Sequence, residues 1–137
     1  MKKKSQEESL ANGKIDKADL AKQVDLFWAV ADVYCIEKHL CHSLMIMPKE
    51  ERKKYFELYN EVRKIRAKLL KRLARNTKWD LWCPNKHFVG AVMQVMEVAI
   101  KEKYMGNDQE AIELTKLAED LFNLFWILQE MGDKKKG

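Results

Sequence analysis

The sequence predicts an all-α fold, an antiparallel up-down-up-down four-helix bundle that forms a homodimer. Three observations predict it. Apolar residues recur at spacings of three and four through four long segments, with no strand-like alternation and no fixed-period repeat. Breakers at Pro48, Pro84 and Gly106 separate the segments, and short connections favour antiparallel neighbours. Finally, 137 residues with 47% hydrophobic content, five Gly and two Pro suit a single helical domain that buries its own core. The expected organisation is a disordered tail over 1–15, a bundle over 16–132 and a disordered tail over 133–137.

The tail is polar and ends near the Asn12-Gly13 breaker. Asp16 and Asp19 then read as the N-cap and first turn of a helix that runs to Met47. Its apolar residues cover two adjoining faces, with Phe27, Ala31 and Tyr34 on one and Leu26, Val30, Val33, Leu40 and Leu44 on the other. Pro48 fits the first turn of the second helix, where its missing N–H costs nothing. Tyr55, Leu58, Tyr59, Val62, Ile65, Leu69 and Leu73 give that helix a clean apolar stripe, and Asn76 and Thr77 close it. The connector from Lys78 to Asn85 holds Trp79 and Trp82, expected to plug the end of the bundle.

Phe88 to Ile100 is the most apolar stretch of the chain. Only Gln94 and Glu97 are polar, and they share a narrow stripe with His87, Gly90 and Lys101. A helix so apolar is an inner wall. At thirteen residues the run is too short to span a bilayer. Gly106 stops it, and Asn107 with Glu110 makes a capping-box-like start for a fourth helix carrying Leu114, Leu121, Phe125 and Leu128. On these boundaries the second pair of helices is shorter than the first. Leu26, Val33, Leu40 and Leu44, with Trp126 and Ile127, are the surface expected to bury itself against a second copy.

The odd count of three cysteines, Cys35, Cys41 and Cys83, argues against a disulfide scaffold. Met1 to Gly13 lacks the apolar run of a secretory signal. A cytoplasmic protein with no membrane partner follows. The net charge of +5 is concentrated: residues 49–78 carry twelve basic and four acidic side chains. Lys64, Lys68, Lys71, Arg72 and Arg75 form a stripe that reads either as a solvated or subunit-facing surface, or as a face for nucleic acid or another polyanion.

Arg66 is the most informative misfit, because it lies inside the apolar arc of its helix and a buried charge needs a partner. Level pairing about Pro48 sets Asp32 beside Arg63, with Arg66 one turn away. A mid-bundle polar layer of Asp32, Arg63, Arg66, Gln94 and Glu97 is expected. It is either a structural ion pair or the floor of a pocket for a small anion, and Glu97 alternatively pairs with Lys101 at i, i+4.

Other chemistry is weaker. Cys35, His39 and His42 lie at i, i+4 and i+7, a spacing compatible with zinc, yet a fourth ligand is wanting. His87 is placed about 25 Å away by the helical rise. The Glu-x-x-His pairs of two-metal carboxylate bundles are missing, since Leu40 follows Glu37 and Ile100 follows Glu97 at that spacing. Cys83, beside Pro84 at the expected start of a helix, is either a reactive thiol or a small cap on the Trp79/Trp82 cluster. With no nucleophile–base pair, no metal and no cofactor assembled, the sequence points to a non-enzymatic binding or scaffold protein.

Overall fold

A computed structural model describes residues 17–74 and 79–134, the side chains of 79–82 and 132–134 excepted. The tail with its Asp16 cap, Arg75, Asn76, Thr77, the Trp79/Trp82 plug and residues 135–137 lie outside the described residues. Within them the chain is all-helical, with four helices and no strand: α1 (Lys17–Ile46), α2 (Lys49–Leu73), α3 (Trp79–Tyr104) and α4 (Asp108–Lys134). Their packing is that of a bundle, α1 against α2, α3 against α4, and α1 against α3. No described helix is long and apolar enough to cross a membrane.

The turns form where the local chemistry asks for them. Pro48 has extended backbone, its carbonyl accepts from the Glu51 N–H at 3.1 Å, and Arg52 Nε reaches back to the Met47 carbonyl at 3.2 Å. Glu50 and Glu51 open α2 while Lys71 and Arg72 close it, as the helix dipole favours. Gly106 adopts φ +83°, the left-handed backbone that ends helices. The following Asn107 N–H returns to the Glu102 carbonyl at 2.9 Å, closing the six-residue loop of a Schellman cap.

Three expectations are corrected. First, α3 begins at Trp79 and takes Pro84 inside it, so Lys78–Asn85 is not a connector. Proline is tolerated there because it lies in the second turn of the helix, where few backbone bonds precede it. Second, the hairpins are of similar length, 30 and 25 residues against 26 and 27, because α3 gains its first turns from the supposed connector. Third, Leu44 and Trp126 are buried within the chain and Leu26 packs on the core, so much of the expected dimer surface is already used.

The core sits at one end of the molecule. It joins Phe27, Val30 and Ala31 of α1 to Leu70 and Leu73 of α2, Val89 and Val92 of α3, and Phe125 and Trp126 of α4. Phe27 meets Phe122, Phe125 and Trp28 edge to face, at centroid distances of 4.9, 5.1 and 5.3 Å. Toward the other end, Met45, Ile46, Phe56, Leu58, Tyr104, Met105 and Ile112 remain exposed.

Beside this core α3 and α4 share a buried amide pair. Gln129 Nε2 donates to Asn85 Oδ1 at 2.5 Å and to the Phe125 carbonyl at 3.0 Å, and both side chains are sealed from solvent. Replacing Gln129 by leucine removes the donor to the buried Asn85 Oδ1 and is expected to cost about 1–3 kcal/mol. The double replacement of Asn85 and Gln129 by leucine is expected to cost less than the sum of the two single changes. Urea denaturation of the three variants measures the difference.

A candidate ligand cleft between α1 and α3

The site is built outward from one ion pair. Arg66 of α2 donates from Nε to Glu37 Oε2 at 2.8 Å and from Nη2 to Oε1 at 3.0 Å, a two-pronged contact to α1. The two side chains are only 5% and 4% exposed. A guanidinium matches a carboxylate in this planar fork, which fixes direction as well as distance. Arg66 Cζ also lies 5.5 Å from the centroid of the Tyr34 ring, a cation–π contact. Burial pushes the Tyr34 hydroxyl above its ordinary pKa, with Arg66 opposing, so the phenol stays neutral.

Tyr34 then leans on α3 at the one place that has no side chain. A Cβ on Gly90 would stand 3.2 Å from Tyr34 Cε2 and 3.4 Å from Cδ2 and Cζ. Four residues further along each helix, Lys38 Nζ donates to Gln94 Oε1. These contacts bound a cleft of about 350 Å³. Ala31, Tyr34, Cys35 and Lys38 form one wall, and His87, Gly90, Ala91 and Gln94 the other. The polar stripe of α3 is this wall.

The cleft is apolar on its floor and carries donors at its rim. None of its lining residues is an acid, and Lys38 contributes a cation. Burial raises the Cys35 thiol above its ordinary pKa, with Lys38 opposing, so the sulfur is a neutral group rather than a thiolate. A second hollow of about 430 Å³ lies between α3 and α4 near Gly106. It is lined by Met96, Ala99, Ile100, Ala111 and Ile112, and its charges, Lys103 and Asp108, already pair at 3.0 Å. The α1/α3 cleft differs from this hollow in that its cation, Lys38, is met by the Gln94 amide and not by an acid.

No family model, curated protein or solved structure matches this chain.

The residues singled out from sequence are divided by the fold. Arg66 is buried and paired, but with Glu37, while Asp32 and Arg63 are exposed. Gln94 is at the cleft, and Glu97 pairs with Lys101 at 3.6 Å. Level counting from Pro48 misplaces the partner because side-chain packing, not the turn, sets the register of α1 on α2. Tyr59, whose hydroxyl pKa is raised by burial and by a hydrogen bond with Cys41, is displaced in the same direction.

His39 and His42 are exposed and Cys35 is half-buried. Among the described residues no three His, Cys, Asp or Glu side chains come together as a metal would require. His87 is closer to them than expected. Following the Tyr34/Gly90 and Lys38/Gln94 register, it stands about 12 Å along the axis from His39. The long separation assumed that His87 starts its helix, whereas α3 is already two turns old there. Cys83 is exposed, inside α3 rather than at its first residue. On α2, Lys64, Lys68, Lys71 and Arg72 are exposed, Lys64 pairing with Glu61 at 3.5 Å.

Glu37, Lys38 and Gly90 were missed as parts of one site. Glu37 had a signal: it lies seven residues after Val30 and seven before Leu44, so it shares their inward arc as Arg66 shares that of Leu73. Two opposite charges misplaced on the facing arcs of neighbouring helices are a pair. Gly90 had no such signal, because a glycine in an apolar run does not announce which ring it admits.

Proposed function

We propose that this chain is a non-enzymatic, cytoplasmic binding protein built as an up-down-up-down bundle, and that its ligand is a small molecule with an apolar body and one anionic group. The observation that carries the reading is the α1/α3 cleft, whose rim offers Lys38, His87 and Gln94 and no acid. A volume of about 350 Å³ lies at the small end of ligand sites. The apolar body would lie against Tyr34, Ala31 and Gly90, and the anion would take Lys38 from Gln94. The neutral Cys35 thiol supports binding rather than nucleophilic chemistry. The constant offset between the α1 and α3 contacts supports a parallel course for those two helices, as the up-down order requires.

Thermal unfolding against small aromatic carboxylates and their neutral amides tests this. A carboxylate at about a hundred times its Kd stabilises the protein by about 2.7 kcal/mol, and the amide by much less. Lys38→Ala is expected to weaken carboxylate binding about tenfold or more while leaving the fold intact, since Lys38 is exposed. Gly90→Val places a branched side chain against the Tyr34 ring, in the wall of the cleft, and is expected to abolish binding. Equal shifts with acids and amides, or none with either, remove the reading.

A further inference from the structure

We propose that α2 and α4 are the two halves of one self-complementary docking surface, and that its occupant is a second copy of this chain. The inference is independent of the ligand cleft and rests on the outer helices. Their principal packing is on α1 and α3 respectively. Each nonetheless carries large apolar side chains facing solvent at seven-residue spacing. On α2 these are Leu58 and Ile65, and on α4 Leu117, Leu124 and Met131, all about half exposed. Such spacing is the seam along which one helix lies on another.

The charges beside the two seams are opposite. Helix α2 holds ten basic and four acidic residues, whereas α4 holds seven acidic and two basic. At 100° per residue, Lys54, Lys68 and Arg72 fall within about 80° of arc with Leu58 and Ile65; Glu50 and Glu61 share that arc, Glu61 pairing with Lys64, and its net charge is positive. Glu110, Glu113 and Asp120 fall within a similar arc with Leu117, Leu124 and Met131. Asp120 already shares Lys116 with Glu119, but the two acids remain 49% and 60% exposed.

A two-fold dimer lays α2 of each protomer on α4 of its partner, so both seams and both charge sets are satisfied twice. A polyanion would answer only the basic half, leaving the apolar, acidic stripe of α4 uncovered. The surface differs from the one expected on Leu26, Val33, Leu40, Leu44, Trp126 and Ile127, of which the fold buries Leu44 and Trp126 and packs Leu26 on the core.

The test is light scattering on the full chain during size exclusion at moderate salt and micromolar concentration. The wild type is expected near 32 kDa, twice the 16.2 kDa chain. Lys68→Glu with Arg72→Glu makes both seams acidic, and Glu113→Lys with Asp120→Lys makes both basic. Each double variant is expected at the monomer mass, with wild-type helicity by circular dichroism because all four positions are exposed. Mixing the two restores opposite signs at both contacts, and a mixed dimer is expected by native mass spectrometry. A monomeric wild type overturns the proposal, as does a dimer indifferent to both sets of changes. A monomer that binds heparin through Lys68 and Arg72 overturns it in favour of a polyanion.

Discussion

Arg66→Ala is expected to lower the stability of the fold by about 3–5 kcal/mol, measured by urea denaturation, with a fall in Tm of roughly 10–20 °C. The size follows from what is left behind. Glu37 is held between α1 and α2 by two bonds to the guanidinium and is almost wholly out of water. Removing Arg66 leaves a buried carboxylate with its compensating cation gone, and Tyr34 loses the charge over its ring. Glu37→Ala is expected to be comparably harmful, for the mirror-image reason. Glu37→Leu combined with Arg66→Met, which replaces the pair by apolar groups of similar bulk, is expected to recover most of the loss. A double variant as unstable as either single one would mean that the pair adds net stability rather than fixing how α2 sits on α1. Arg66→Lys is expected to fail too, since an ammonium cannot reproduce the fork.

Phe27→Ala is the second large effect, expected at about 3–5 kcal/mol from lost burial and the cavity left behind. Phe27 is 0% exposed and is the ring that the others surround. Besides its edge contacts it approaches Trp126, at 6.1 Å, so one truncation removes three ring contacts between α1 and α4 at once. Trp28 stacks on Phe122 at 6.0 Å but is partly exposed, so Trp28→Ala should cost markedly less. Chemical denaturation of the two variants checks the ranking, and near-ultraviolet circular dichroism should report the loss of the fixed ring environment in Phe27→Ala first.

The comparison of these two sites explains how much could be read in advance. The aromatic core was legible because Phe27, Ala31, Leu121 and Phe125 obey the helical period, and burial is proportional to apolar area whatever the partner. Arg66 was legible as a misfit for the same reason. Its partner was not, since Asp32 and Glu37 lie five residues apart and only the packed register of α1 on α2 chooses between them. Pro84 misled because its ring breaks helices in their middle but is accommodated near their start, and the position of the start depends on where the preceding chain arrives. The cleft depends on Tyr34, Lys38, Gly90 and Gln94 from two helices separated by more than fifty residues, and no periodicity within either helix brings them together.

By itself the sequence determined the helical class, the number of helices, the turns at Pro48 and Gly106 and the apolar character of α1 and α3, because these follow from short-range sterics and from the period of the apolar residues. Only the tertiary structure decided which carboxylate meets Arg66, that the polar stripe of α3 faces α1 across an open cleft, and which apolar side chains stay outside. Those outcomes depend on how far one helix slides and rolls against another. That displacement is set by the summed fit of many side chains, each worth little, and local sequence carries no record of the total.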